Sequence, residues 1–252
     1  MHVAAACSIV LALHLQPGSH VVEHSTYDDR VQWVLPPDKL ASFARAGVVI
    51  TEDKLTRVVA VATVTSTMRD MMTLTGDIDT TVTDVPRHRT QHVRAVLKST
   101  ITPRNDPLPA RGLDVEESAM IDLPLAPLCV GQSWHTTIPV LTTLGSGIAS
   151  IDHTIVSATA TMVEIDVKGD GAITGEEYNL PHLLPGSLSF RGKAWFDVVN
   201  GVVSQESYVV RNRLIKTVRD KTIGFIETET VNVTTHAGKP TEPAKPDPRT
   251  TP

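Results

Sequence analysis

Two short stretches of the chain place side chains of the right chemistry at suggestive spacing. In Asp166-Val167-Lys168-Gly169-Asp170-Gly171-Ala172-Ile173-Thr174-Gly175-Glu176-Glu177, the carboxylates of Asp166, Asp170 and Glu177 offer oxygens to a hard cation such as calcium, and Gly171 can make the sharp bend such a loop needs. Lys168 puts an ammonium where a further oxygen ligand belongs. Gly169-Asp170-Gly171 is also sufficient for a tight hairpin without metal, and that hairpin is the expected reading. In His20-Val21-Val22-Glu23-His24 two imidazoles flank a carboxylate at a spacing that, on a helix, would bring both to one zinc ion. His88 and His92 repeat the spacing with no obvious third ligand, so both are expected to be structural or solvated. Asp152 and His153 are adjacent, and on a strand their side chains would point to opposite faces, which rules out a proton relay between them.

The twelve-residue stretch resembles the EF-hand family over the loop alone, and the five-residue stretch resembles the zinc motif of the inverzincin metallopeptidases. Both families need helices that the surroundings do not supply. Thr159 to Ile165 reads as a strand, and Pro17-Gly18 precedes the histidines. Gly145-Ser146-Gly147 lacks the Gly-x-Ser-x-Gly pattern of a nucleophile elbow, and phosphate-loop, dinucleotide and Cys-x-x-Cys patterns are absent from the sequence. A hydrolytic site assembled from distant strands would leave no linear trace, so that alternative stays open.

The elements that must position any site are β-strands. Ala194 to Val210 runs Trp195-Phe196-Asp197-Val198-Val199, Asn200-Gly201, then Val202-Val203 onward. This is a strong hairpin signal, with both turn residues expected at φ > 0. Candidate strands are Ser133 to Thr143, Ile148 to Ser157, Thr159 to Val167, Ala172 to Glu177, Ser187 to Val198, Val202 to Val218 and Thr222 to Thr235, with a turn at Gly169-Asp170-Gly171. Further strands are expected around 57–65 and 71–83. The run from Pro86 to Gly112, rich in Arg, His and Pro, is expected to be an irregular crossing whose basic side chains face water. Pro36-Pro37-Asp38 opens one short helix, closed by Gly47.

The chain is therefore expected to be mostly β, an antiparallel meander forming a curved sheet or half-barrel with one short helix, either continuous or as two related β lobes. The divisions are a leader and polar segment over 1–25, an N-terminal lobe with the helix and basic crossing over 26–118, a C-terminal lobe over 119–235, and an extended, disordered Pro-rich tail over 236–252. In the C-terminal half, Leu123-Pro124-Leu125-Ala126-Pro127, Val130-Gly131-Gln132-Ser133-Trp134, Gly192-Lys193-Ala194-Trp195-Phe196-Asp197 and Asn200-Gly201-Val202-Val203 resemble uncharacterised exported β-rich bacterial proteins. Those motifs are structural, and the resemblance implies no catalytic residue.

Composition limits the function. The 252 residues carry a net charge of −5, which gives no basic field for nucleic acid, and only 4% are aromatic, too few for a stacking platform unless clustered. Val3 to Leu13 is an apolar run of the length of an export leader and too short for a membrane span, so a secreted or envelope location is expected, with cleavage between about Leu13 and Ser25. Cys7 and Cys129 do not form a disulfide framework, and Cys129 is expected to be free and buried. The leading expectation is a non-enzymatic module that binds an apolar small molecule or an envelope protein on a concave sheet face lined by Leu188, Phe190, Phe196 and Phe225. The alternative is calcium binding by Asp166, Asp170 and Glu177; no other cofactor is indicated.

Overall fold

The structure is a computed structural model that describes residues 8–68, 71–104, 123–142, 145–176, 183–218 and 221–238. Its strands are β1 (His20–Val34), β2 (Thr51–Met68), β3 (Met71–Asp84), β4 (Arg89–Ile101), β5 (Ser133–Thr142), β6 (Gly145–Ala158), β7 (Met162–Glu176), β8 (Leu183–Asp197), β9 (Val202–Val218) and β10 (Lys221–Gly238). All lie in one antiparallel sheet of order β4-β3-β2-β1-β10-β9-β8-β7-β6-β5, not closed into a barrel. Every pairing joins sequence neighbours except that of the first and last strands. Those run from His20 opposite Gly238 to Val34 opposite Gly224, and they join the two halves of the meander into one surface.

Four expectations change. The stretch around Gly169-Asp170-Gly171 makes no turn: β7 runs straight through it, paired on both sides, so two expected strands are one. The glycine there serves close approach, since a Cβ at Gly169 would come within 2.3 Å of the Phe190 ring. Residues 89–101, expected in an irregular crossing, form the edge strand β4, with Arg94 paired to Asp79 at 3.0 Å and His92 bonded to Thr81 at 3.0 Å. Charge on such a strand resists edge-to-edge pairing with another chain, which is why a strand there reads so polar. The Asn200-Gly201 turn is a four-residue loop in which Gly201 alone has positive φ, +61°. The Asp197 carboxylate accepts from the amides of Val199 and Asn200, both at 2.9 Å, which holds Asn200 out of the left-handed region. Cys129 is half-buried rather than buried; Cys7, Glu177 and the tail beyond 238 lie outside the described residues.

Alternation along the strands separates two faces. The inner face collects Val64, Leu74, Ala149, Ile151, Ile165, Val167, Leu188, Phe190, Ala194, Phe196, Tyr208, Val210, Leu214, Phe225 and Val231 into one buried cluster. Ser19-preceding residues of the apolar N-terminal run lie across one end of this face as a strap. Leu11, Leu13 and Leu15 are buried in the cluster, Ile9 pairs with Leu128, the Leu13 amide donates to the Pro103 carbonyl at 2.7 Å, and the His14 amide donates to that of Gly201 at 3.0 Å. At the opposite end stands α1 (Pro37–Arg45), with Asp38 in its first turn, Arg45 in its last and Gly47 at φ +67° beyond it. Its Phe43 meets Trp33 edge-on at 6.5 Å, and Trp33 meets Phe225 at 5.6 Å. No helix among the described residues is long and apolar enough to cross a membrane.

The sheet curls. Arg104, three residues past the end of β4, exchanges hydrogen bonds with Leu123 and lines the same groove as Trp134 and His135 of β5, so the segments that flank the two free edges meet at the strap end.

Candidate functional site

The apolar residues expected to line a concavity, Leu188, Phe190, Phe196 and Phe225, all stand on the inner face and are 2%, 2%, 2% and 8% exposed, packed as core. Asp166 and Asp170 are on the outer face of β7, four residues apart on an extended strand. That places their Cα atoms about 13 Å from each other, too far to share an ion whose oxygens lie at about 2.3–2.6 Å. Asp166 pairs instead with Lys168 at 2.9 Å. The EF-hand geometry is therefore not formed between these two residues. His20 and His24 are likewise spread along a strand, and Glu23 faces the other side, accepting from the Ser25 hydroxyl at 2.7 Å. His88 sits in a turn at φ +51°, apart from His92 on β4. Among the described residues no group of three or more His, Cys, Asp or Glu is arranged to hold a metal ion.

The inner face carries polar chemistry that these motifs did not include. Register places Lys54, Asp29 and Glu229 in one cross-strand row, and Glu52, Val31, Glu227 and Asn212 in the next. Asp29, Glu227 and Asn212 are 9%, 3% and 2% exposed, whereas Glu52, Lys54 and Glu229 are half-exposed, so an acidic seam leads from the solvent-accessible wing into the interior. The Asn212 amide nitrogen donates to Glu227, and Lys54 is held by Glu52 at 3.0 Å. Burial pushes the Asp29 carboxyl up to about 7, reinforced by the charges of Glu227 and Glu229 and opposed by Lys54. Further along the same face, burial pushes Glu206 up to about 7, and the phenol of Tyr208 is raised by its own burial and by Glu206.

On the far wall, His153 is buried, stacks on Trp134 at 4.8 Å and 14°, and bonds through Nε2 to the Thr136 hydroxyl at 3.0 Å. Burial holds its pKa down at about 4, so the ring is neutral at physiological pH. Asp152 lies on the opposite face, bonded to His135 at 3.0 Å, as the alternation requires. The groove between the edges has a volume of about 250 Å³ and is lined by Arg104, Pro124, Leu125, Ala126, Leu128, Trp134 and His135.

Among the described residues, four interior polar atoms have no hydrogen-bond partner: Asp29 Oδ1, Asn212 Oδ1, Tyr208 Oη and His153 Nδ1. A buried polar atom left unmet costs about 1–3 kcal/mol, so these four mark the polar positions of an otherwise apolar face. The signal was present in the sequence: the inward positions of β10 read Phe225, Glu227, Glu229, Val231, Val233, with acids in the middle of an apolar row. It becomes visible only once the register is known. Comparison with protein-family models gives no match, and neither does comparison with the curated proteins, so function has to be argued from this geometry.

Proposed function

We propose that the chain is a non-enzymatic binding module of the secreted or envelope compartment, and that its inner face takes an amphiphilic small molecule. The observation that carries this reading is the division of that face. One half is a continuous apolar wall, and beside it lies a buried seam with unmet hydrogen-bonding atoms, Asp29 Oδ1 and Asn212 Oδ1 among them. Because Leu188, Phe190, Phe196 and Phe225 are packed as core, an apolar ligand with one polar end would have to part this wall in order to lie along it and satisfy the seam. The compartment rests on the apolar composition of Val3 to Leu13, read as a run the folded chain keeps, since Leu11 and Leu13 are packed in the core.

Native mass spectrometry of the full chain purified from an envelope fraction tests the reading. A bound small molecule that leaves under mild activation, and whose loss lowers the melting temperature, is the expected result. A bare polypeptide mass, together with failure of an apolar fluorescent probe such as N-phenyl-1-naphthylamine to bind, would overturn it.

A further inference from the structure

We propose that the outer face of β8 and β9 docks an acidic polysaccharide through Arg191, Arg211 and Arg213. This face lies on the other side of the sheet from the seam and the apolar wall, so the inference stands or falls independently of the binding reading above.

Register brings the three guanidiniums together. Arg211 and Arg213 alternate with the buried Val210, Asn212 and Leu214 of β9, which puts both on the outer face about 6.8 Å apart along the strand. Arg191 of β8 lies opposite Val209, and Ser189 lies opposite Arg211, so Arg191 is one diagonal step from Arg211 on the same face. The three make a short oblique track, and all are exposed. Opposite Arg211 stand Ser189 and Thr228, opposite Arg213 stand Ser187 and Ile226, and no acid occupies a diagonal position beside either. Arg191 has Lys168 opposite, with Asp166 and Asp170 on the diagonals, and Asp166 is taken by Lys168 at 2.9 Å. Among the described residues none of the three arginines is in an ion pair.

Other cations of this face are matched. Lys193 meets Glu164 at 2.5 Å, Arg94 meets Asp79 at 3.0 Å and Arg30 meets Asp53 at 3.7 Å. Arg57 and Lys98 have no ion pair, but each stands singly with carboxylates on its diagonals, Asp28 and Asp79 for Arg57 and Asp77 for Lys98. Neighbouring like charges cost stability on a sheet, so the track is a place where an outside anion adds what the chain itself withholds.

The borders of the track select the partner. Asp166 and Asp170 lie along its β7 side, Asp28 and Asp53 lie beyond β10 on the other, and the whole chain carries a charge of −5. A broad anionic surface such as a bilayer would press on both borders, whereas one polymer strand can follow the track between them. Guanidiniums take a carboxylate or sulfate through paired N–H bonds, and the hydroxyls of Ser187, Ser189 and Thr228 between them suit the neutral hydroxyls of sugar units.

The test is the affinity of the full chain at pH 7 for heparin, polygalacturonate and neutral dextran, with flotation on phosphatidylglycerol vesicles beside it, between about 50 and 200 mM salt. Heparin and polygalacturonate are expected to bind, dextran is not, and binding weakens as salt rises. R211Q/R213Q is expected to lose about tenfold or more in affinity and to flatten the logarithmic salt slope by about two, and R191Q alone by about one. R57Q/K98Q removes the same charge from the same face and is expected to bind as wild type. No binding of either acidic polymer, unchanged affinity in R211Q/R213Q and R191Q, or an equal loss in R57Q/K98Q overturns the proposal. Binding to the vesicles in place of the polymers overturns the polysaccharide as partner.

Discussion

Asp29→Asn is expected to stabilise the protein at neutral and alkaline pH and to leave it nearly unchanged near pH 4. The native carboxyl, at about 7, holds its proton well above the ordinary 3.8. Between those values the folded chain binds more protons than the unfolded chain, so this group's contribution falls as pH rises from about 4 to about 7 and stays low above it. Three decades of proton affinity at about 1.4 kcal/mol each set a ceiling near 4 kcal/mol. Because part of that shift is repulsion among neighbouring acids and not burial of Asp29 alone, the expected gain is about 2–4 kcal/mol at pH 8. Asparagine is nearly isosteric and one of its N–H groups can donate to Glu227 as the protonated acid does, so no cavity offsets the gain. For a chain of this size that is a rise in melting temperature of about 5–10 °C at pH 8. Thermal melts of wild type and variant from pH 4 to pH 9 should diverge steadily through the neutral range. Parallel curves, or a variant less stable at pH 8, would refute the argument that Asp29 is a desolvated acid.

Gly201→Val places a branched side chain at φ +61° and directs its Cβ into His14, 2.6 Å away; a loss of about 1–3 kcal/mol from the backbone alone is expected in denaturant titration, with Gly201→Ala intermediate. Leu13→Asp buries a charge under the strap, and native-state proteolysis should then cut residues 8–18 before any strand; cleavage first within the sheet would show the strap is not the weaker unit. Calcium at 1 mM should leave the melt of the natural chain and of Lys168→Asp unshifted, because Asp166 and Asp170 are spread along β7; a shift that Asp170→Asn removes would restore a metal site. His153, neutral and buried with its pKa held at about 4 against the ordinary 6.5, binds fewer protons folded than unfolded between those values, so its contribution is full above about 6.5 and is lost as pH falls toward 4. Relative to His153→Phe, wild type should therefore lose about 2 kcal/mol between pH 7 and pH 5, measured by urea unfolding.

Much of the fold could be read from the sequence because half-buried antiparallel strands alternate. Leu188, Phe190, Ala194 and Phe196 share a face as their spacing requires, and the helix opens at Pro37 and is followed by Gly47 as its punctuation indicates. Failures occurred where one residue type serves two purposes. Gly-Asp-Gly spells a turn locally, but in β7 the first glycine makes room for Phe190, a partner on another strand that only the sheet brings near. The basic run at 87–98 resembles a loop because an edge strand exposed on both sides has no apolar face to announce it. The candidate site was harder to see. Asp29 lies in a polar stretch and Glu227 among threonines, and they come together only through the pairing of the first strand with the last. That pairing spans almost the whole chain, and no local pattern records it.

The approach of β4 and β5 without a hydrogen-bonded ladder between them gives the sheet a lateral slit. A closed barrel can widen only by breaking strand pairs, each of which carries a row of backbone bonds. This sheet can change its internal width by uncurling, distributing a few degrees of twist over nine intact pairings while the Arg104–Leu123 bonds and the strap yield at one end. If the inner face takes a long molecule as proposed, its loading and release would pass sideways through the slit at the strap end and would leave the strand register untouched.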